Sequence, residues 1–222
     1  MTALARYLVT GAAGFIGSNV CRLLLDAGHE VVGIDNLNSA YDPRLKQWRL
    51  RSLSAAPPFQ FAALDITDLA AMEQFFARQA SGSQSGRPFD AVLNLAARAG
   101  VRPSVADPWI YLRANAEGAL NLLELCLQHG VKKFVLASTS SLYGAHNPIP
   151  FAENADTSRP LSPYAASKGA AESLTFTYHH LHGLDVSVLR YFTVYGPVGR
   201  PDMSVFRFMR KIAEGEPITV FG

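Results

Sequence analysis

The stretch TGAAGFIG (residues 10–17) places three glycines, Gly11, Gly14 and Gly17, between a short apolar run and a helical pattern. Glycines at a strand–helix junction let the backbone approach a diphosphate, and the N-terminus of the helix offers free N–H groups to its charge. Tight turns of this kind favour glycine for other reasons too, so the triplet alone is weak evidence. Its position in the first β–α–β unit of the chain predicts a dinucleotide-binding loop.

Outward from this loop, short β-rich runs alternate with helical stretches along the whole chain. This alternation is typical of an α/β fold with a doubly wound, mostly parallel (Rossmann) sheet. We predict helices after the glycine loop, over 44–53, 68–79 and 115–130, and from Tyr164 onwards. The six predicted strands are Arg6–Gly11, Glu30–Asp35, Phe59–Asp65, Phe89–Ala97, Lys132–Thr139 and Asp185–Tyr191.

Composition excludes several classes of protein. Hydrophobic residues make up 49% of the chain, charged residues 17%, and the net charge is +2, which is typical of a soluble globular protein. The basic stretch RLKQWRLR (Arg44–Arg51) is expected to be a solvated helix face rather than a nucleic-acid patch. We expect no membrane partner, because no apolar run approaches the roughly 18 residues of a membrane span.

The two cysteines, Cys21 and Cys126, lie in apolar helical patterns without disulfide or zinc spacing. We therefore expect no metal site and a reducing, cytoplasmic location. The first residues lack the charged start and long apolar core of a signal peptide.

Asp35 ends the second predicted strand, 18 residues beyond Gly17. A carboxylate there can accept hydrogen bonds from an adenosine ribose and would repel a 2′-phosphate, which favours NAD over NADP. The alternative is that Asp35 only caps the following turn. Asp65 and Ile66, after the third strand, could contact the adenine, whereas Asp68 is better explained as the N-cap of the next helix.

In SPYAASKGAAE (Ser162–Glu172), Tyr164 and Lys168 lie four residues apart and therefore on one face of a helix. A free phenol ionises only near pH ~10, but an adjacent ammonium and a nicotinamide cation would favour the phenolate. Four hydroxyl residues, 138–141, end the fifth strand, where ligands bind in such sheets. Without the other motifs, Tyr164 and Lys168 would be an ordinary helical pair. Together with them, they indicate a base and its activator.

These motifs resemble the extended short-chain dehydrogenase/reductase superfamily, in its nucleotide-sugar epimerase/dehydratase branch. The similarity also covers NLAA (94–97), Asn115, STSSLYG (138–144) and RYFTVYGP (190–197). It implies that Tyr164 is the base, that Lys168 orients the nicotinamide ribose and that Thr139 completes a catalytic triad. The NAD contacts that the resemblance implies are Gly11, Gly14, Phe15, Ile16, Gly17, Asp35, Asn36, Asp65, Ile66, Leu95, Ala96, Ala97, Asn115, Ser138, Tyr164, Lys168 and Tyr191.

Ser140 and Ser141 follow Thr139 where the dehydratases of this branch carry an acidic pair, so epimerisation is favoured over dehydration. Residues 31–46, 96–104 and 190–203 resemble the UDP-glucuronate 4-epimerases. The hypothesis is that Ser140, Ser141, Thr193 and Arg200 hold a sugar carboxylate, since an arginine fork suits that group, with Arg102 near the sugar or diphosphate. The alternative is that both serines satisfy their own turn and Arg200 is a surface charge.

UDP-glucose or UDP-N-acetylglucosamine 4-epimerase, UDP-glucuronate decarboxylase and a non-catalytic NAD-binding fragment or sensor remain open alternatives. We expect an NAD-binding domain over 1–190 and, over 191–222, the start of an incomplete C-terminal substrate-binding portion, because the family usually continues further. The resemblance also implies a possible homodimer through a helical bundle that includes the Tyr164 helix.

Overall fold

The computed structural model describes residues 4–54, 58–83 and 86–219. Its centre is a six-stranded sheet in the order β3-β2-β1-β4-β5-β6, and every neighbouring pair of strands is parallel. The strands are β1 Arg6–Thr10, β2 Glu30–Asp35, β3 Phe59–Ala63, β4 Ala91–Asn94, β5 Lys133–Thr139 and β6 Asp185–Tyr191. The predicted α/β fold with a doubly wound sheet is confirmed.

The sheet carries helices on both faces. The eight α-helices in the described part of the chain are α1 Phe15–Asp26, α2 Pro43–Ser54, α3 Leu69–Ser81, α4 Val101–Ala106, α5 Pro108–Leu112, α6 Gly118–Gln128, α7 Pro163–His182 and α8 Ser204–Glu214. On one face, side chains of α3, α6 and α7 such as Phe76, Leu122 and Ala171 form the larger core. On the other face, Cys21 of α1 and Leu53 of α2 close a smaller core.

The strand order reverses between β1 and β4, and in open sheets of this kind the crevice at the carboxyl ends of the two strands is the usual ligand site. β4 is shorter than the predicted 89–97. After Asn94 the chain leaves the sheet, and the Ala96 N–H donates to Thr10 Oγ1 at 3.0 Å. This bond places residues 95–97 beside the glycine loop.

Helix α2 corrects one expectation. Arg44 and Arg51 are exposed, as expected for a solvated face, but Lys46 and Arg49 are buried on the same side as Leu53. Their spacing of three residues turns both cations toward the sheet, where each has polar acceptors. The interpretation of the basic stretch as a solvated face is therefore wrong for these two residues.

The short helices α4 and α5, the turn of π-helix over Arg113–Glu117, the 3₁₀ turn over Ser140–Tyr143 and helix α8 were not predicted. The domain boundary at residue 190 stays a prediction. Within the described ranges, none of the helices combines the length and the apolar character that a bilayer crossing requires.

Candidate active site

The glycine positions of the loop have no room for a side chain. Gly11 adopts φ +68°, and a Cβ on it would lie 2.9 Å from the Ala96 backbone. A Cβ on Gly17 would lie 2.1 Å from the Gly11 carbonyl oxygen. Gly14 is the N-cap of α1 and carries no side chain that could accept the N–H groups of the first turn, where Phe15 and Ile16 lie. These donors are therefore free for an anion, and the loop fits the diphosphate of a dinucleotide.

Asp35 lies at the carboxyl end of β2, 7% exposed. Its Oδ1 accepts a hydrogen bond from the Leu37 N–H at 2.8 Å and an ion pair from Lys46 Nζ at 3.1 Å. Asp35 thus does cap the turn after β2, as the alternative predicts, but the cap uses only its Oδ1 oxygen. The ribose contact of Asp35 stays a prediction, and the buried Lys46 beside it was not foreseen.

The predicted adenine contacts lie together. Asn36 Nδ2 donates to Asp65 Oδ2 at 2.7 Å, and the Thr67 N–H donates to Asp65 Oδ1 at 2.9 Å. Burial raises the pKa of the Asp65 carboxyl, but the hydrogen bonds from Asn36 and Thr67 outweigh it and hold that pKa below its usual range. Ile66 is buried. As expected, Asp68 is the N-cap of α3, where it accepts from the Ala71 N–H.

Asn115 lies in the π-helical turn, a feature that is frequent at functional sites. It is 1% exposed, and its amide bonds both backbone groups of Arg98, at 2.9 and 3.0 Å, and the Ser167 hydroxyl at 2.9 Å. Asn115 therefore ties the segment after β4 to α7 at Ser167, the residue directly before Lys168.

Thr139 ends β5 as the N-cap of the 3₁₀ turn, and its Oγ1 accepts from the Ser141 N–H at 3.1 Å. The same hydroxyl keeps its proton for a second partner. Ser140 and Ser141 form the first half of this turn and are half-buried. In the register of β5 and β6, Thr139 lies beside Tyr191. Burial raises the pKa of the Tyr191 phenol.

Lys168 is the most unusual ionisable group of the site. It is 2% exposed, and its Nζ donates to the Ala137 carbonyl at 2.8 Å. Burial lowers the pKa of its ammonium to about 8, although the Glu172 charge opposes the shift. Tyr164, one turn earlier, is half-buried, and the edge of its ring meets the Tyr111 ring at a centroid distance of 6.1 Å.

One turn beyond Lys168, Glu172 forms a network that the sequence did not indicate. Its carboxylate accepts from the Ser138 hydroxyl and pairs with Arg190 of β6 through two hydrogen bonds, at 3.0 and 2.8 Å. The spacing of four residues places Glu172 on the same face of α7 as Lys168, but its partners lie on β5 and β6, far away in the sequence. Ser138, a predicted NAD contact, is thus fixed by the protein itself.

The segment after β6 folds over the glycine loop. The Arg49 guanidinium donates to the Ala13 carbonyl at 3.2 Å, to the Tyr41 hydroxyl at 2.8 Å and to the Val198 carbonyl at 2.8 Å. A Cβ on Gly196 would meet the Phe15 ring at 3.3 Å, so this turn and α1 pack closely. Arg49 therefore joins the turn to the loop.

The predicted substrate residues are less closely arranged. Arg200 is half-buried and forms a two-pronged pair with Asp202, with its Nε 3.1 Å from Oδ1. Burial raises the pKa of Tyr111, whose ring meets that of Tyr164, and the charges of Arg98 and Arg200 oppose this shift. Thr193 and Arg102 are exposed. The carboxylate clamp stays a prediction.

Comparison with known proteins gives the family of the chain. The model of the NAD dependent epimerase/dehydratase family matches residues 7–222. The chain belongs to this family. In the epimerase/dehydratase family, the UDP-glucuronate 4-epimerase of Thermodesulfobacterium geofontis is 55% identical over 216 residues, which cover 97% of this chain and 64% of that protein. UDP-glucuronate 4-epimerase 1 of Arabidopsis thaliana is 44% identical, with 96% of this chain and 48% of that protein covered.

Among epimerase/dehydratase structures, the UDP-glucuronic acid 4-epimerase of Bacillus cereus, in complex with UDP-glucuronic acid and NAD, superposes with a TM-score of 0.85 at 39% identity. The superposition covers 98% of this chain and 66% of that one. The chain thus spans about two thirds, or less, of the length of these relatives. Within the described residues, no group of three or more His, Cys, Asp and Glu side chains is placed to hold a metal ion.

Proposed function

We propose that the protein containing this chain is an NAD-dependent 4-epimerase of a UDP-sugar and that it interconverts UDP-glucuronate and UDP-galacturonate through a transient 4-keto sugar. The observation that carries this proposal is the buried Lys168 one helical turn from Tyr164, bonded to the strand that ends in Thr139, in a chain whose loop glycines Gly11 and Gly17 have no room for a Cβ. The identity of 55% to a UDP-glucuronate 4-epimerase supports the choice of sugar.

The residues present fit NAD. Gly11 and Gly17 have no room for a Cβ, and the first turn of α1 offers N–H donors. Lys46 and Leu37 both contact Oδ1 of Asp35, so its other carboxylate oxygen lies outside these two contacts. Bound NAD⁺ supplies the acceptor that takes hydride from C4 of the sugar and later returns it. Lys168 would hold the nicotinamide ribose, and Asn36 with Asp65 would face the adenine.

The chain's own groups move the proton. Tyr164 accepts the proton of the C4 hydroxyl as hydride leaves C4, and the Thr139 hydroxyl donates to the same sugar oxygen. The Lys168 ammonium is held in a buried site one helical turn from Tyr164, with its Nζ 2.8 Å from the Ala137 carbonyl. After the 4-keto sugar has turned over in the site, Tyr164 returns the proton and the opposite C4 configuration results.

The residues after Thr139 favour a uronate. Oxidation at C4 makes a β-keto acid, which loses CO₂ when its carboxylate aligns with the carbonyl π system. Ser140 and Ser141 can hold that carboxylate but cannot protonate a leaving hydroxyl, so elimination of water is disfavoured. For Arg200 to join them, it would exchange Asp202 for the sugar carboxylate.

Product analysis tests the proposal. The purified chain is incubated with NAD⁺ and either UDP-glucuronate or UDP-glucose, and the nucleotide sugars are separated and identified. We expect UDP-galacturonate from the uronate and no comparable turnover of UDP-glucose. Tyr164→Phe should abolish turnover while NAD⁺ binding persists. Conversion of UDP-glucose alone would refute the uronate assignment, and unchanged turnover by Tyr164→Phe would refute the mechanism.

We also propose a cytoplasmic homodimer that packs through α5 and α7. Several large apolar side chains on these helices, Trp109, Leu112, Phe176 and Leu181, are exposed. A second copy could cover them. Sedimentation analysis should show a dimer that Phe176→Asp dissociates, and a monomer at every concentration would contradict this proposal.

A further inference from the structure

The buried pair of Lys46 and Asp35 changes how the adenosine end of the cofactor site works. The side chains of Lys46 and Asp35 are 6% and 7% exposed, and Nζ lies 3.1 Å from Oδ1. A buried cation without a counter-charge would be strongly destabilising, so each group depends on the other. The carboxylate at the end of β2 is therefore not an isolated negative charge.

Two donors converge on the same carboxylate oxygen. The Leu37 N–H approaches Oδ1 at 2.8 Å from the turn that follows β2, and Lys46 reaches it from α2. Asn38 Oδ1 accepts a further hydrogen bond from Lys46 Nζ at 3.3 Å, which fixes the ammonium in this position. Together, Leu37 N–H and Lys46 Nζ form an anion cradle that Asp35 fills.

A 2′-phosphate on the adenosine ribose would need donors of this kind at this end of β2. From sequence alone, Asp35 excludes such a phosphate by repulsion. In the structure, Lys46 offsets that negative charge at close range, so exclusion depends on the carboxylate occupying the cradle. Ammonium groups bind phosphate through charge-assisted hydrogen bonds when nothing else holds them.

We propose that Lys46 is a specificity-determining residue: it anchors Asp35 for NAD, and it becomes a ligand of the 2′-phosphate of NADP when position 35 loses its charge. The inference rests on the proposed function only in that the chain binds a dinucleotide. It assigns to Lys46 a role in both forms of the site, first as the partner of a carboxylate and then as the partner of a phosphate.

The neighbouring cations of α2 are committed elsewhere. Arg44 is exposed and paired with Asp42 at 2.6 Å. Arg49 donates to the Ala13 and Val198 carbonyls beside the glycine loop. Lys46 is thus the cation of this helix that an anion in the place of the Asp35 carboxylate would meet.

Calorimetric titration of NAD⁺ and NADP⁺ tests the proposal on five chains: the unchanged chain, Asp35→Asn, Lys46→Met, Asp35→Asn with Lys46→Met, and Asp35→Asn with Arg44→Met. Asp35→Asn keeps the volume and an acceptor for both donors but removes the charge. We expect it to raise the ratio of NADP⁺ to NAD⁺ affinity about tenfold or more, the size of one charge-assisted hydrogen bond. Lys46→Met in that background should return the ratio most of the way, whereas the matched Arg44→Met should not.

An unchanged ratio on adding Lys46→Met to Asp35→Asn would overturn the inference. Should Asp35→Asn fail to fold in a thermal melt, Lys46→Met alone decides: loss of the anchor of Asp35 should lower NAD⁺ affinity, and an unchanged NAD⁺ affinity overturns the inference. Titration of adenosine 2′,5′-bisphosphate separates the two proposals. An unchanged chain that binds no NAD⁺ refutes the proposed function, while Lys46-dependent binding of this probe by Asp35→Asn still supports the inference.

Discussion

Replacing Lys168 by methionine should remove a pH dependence from the stability of the chain. Burial lowers the pKa of this ammonium from its ordinary 10.5 to about 8, with Glu172 opposing the shift. In the unfolded chain the group regains its ordinary pKa, so between about pH 8 and 10.5 the unfolded state holds a proton that the folded state has lost. Stability from this group therefore rises with pH across that window, and below it the buried charge destabilises the fold by a constant amount.

The magnitude follows from the two pKa values. A difference of about 2.5 pH units corresponds to about 3 kcal/mol, of which about 2 kcal/mol should be relieved between about pH 7 and 9.5. Methionine also leaves the Ala137 carbonyl without its donor, at a cost of about 1–3 kcal/mol. That loss does not titrate, so it shifts the stability of the variant equally at both pH values.

The assay is urea unfolding of both chains at about pH 7 and 9.5 without dinucleotide. The quantity to compare is the difference in unfolding free energy between unchanged chain and variant, because the raised pKa values of Tyr41 and Cys21 affect both chains alike. We expect this difference to change by about 2 kcal/mol in favour of the unchanged chain as pH rises. The matched replacement of the exposed Lys132 should give no such change, and a constant difference for Lys168→Met would refute the reasoning.

Three further changes test other parts of the site. Gly17→Ala should abolish NAD⁺ binding and lower the unfolding free energy by about 3 kcal/mol or more, because the new Cβ would lie 2.1 Å from a carbonyl oxygen. Gly82→Ala, whose Cβ would come no closer than 3.9 Å to its neighbours, should stay near neutral in a thermal melt. Arg49→Ala should destabilise by about 2–4 kcal/mol in urea, since the buried Ala13 carbonyl and the part-buried Val198 carbonyl lose their donor. The exposed Arg51→Ala should stay within about 0.5 kcal/mol, and equal effects would contradict the bridging role. Thr139→Val should lower kcat about 100-fold with little change in NAD⁺ affinity, and full activity would exclude its hydroxyl from catalysis.

The sequence was sufficient for those parts of the fold that depend on local pattern. The glycine spacing of residues 11–17 predicts the loop, since tight backbone approach there requires glycine whatever packs around it. The strands could be predicted because each is a short apolar run between turn signals, although β4 ends at Asn94 and the Ala96 N–H beyond it donates to the Thr10 side chain. The pairing of Tyr164 and Lys168 follows from helical spacing alone.

What could not be predicted depends on contacts between distant segments. Lys46 and Arg49 belong to a stretch whose composition is typical of a solvated surface, yet acceptors on β2 and on the turn at residue 198 make their burial favourable. Glu172 has an ordinary helical position, and only Arg190 of β6 and Ser138 of β5 reveal what it holds. The pairing of Arg200 with Asp202 joins near neighbours in the sequence, yet the motif pattern did not indicate it.

The hydrogen bond from Arg49 to Val198 has a consequence for how the chain assembles. The two residues are 149 positions apart, and Val198 follows the last strand of the sheet. Loops of this length close late, after local elements have formed, and a chain under synthesis exposes its N-terminal segments first. The Arg49 guanidinium can bond Ala13 and Tyr41 as soon as the first β–α–β unit and α2 have folded, but it acquires its Val198 acceptor only when β6 has emerged and docked. The contact that completes the wall of the glycine loop is made by one of the last described segments to be synthesised.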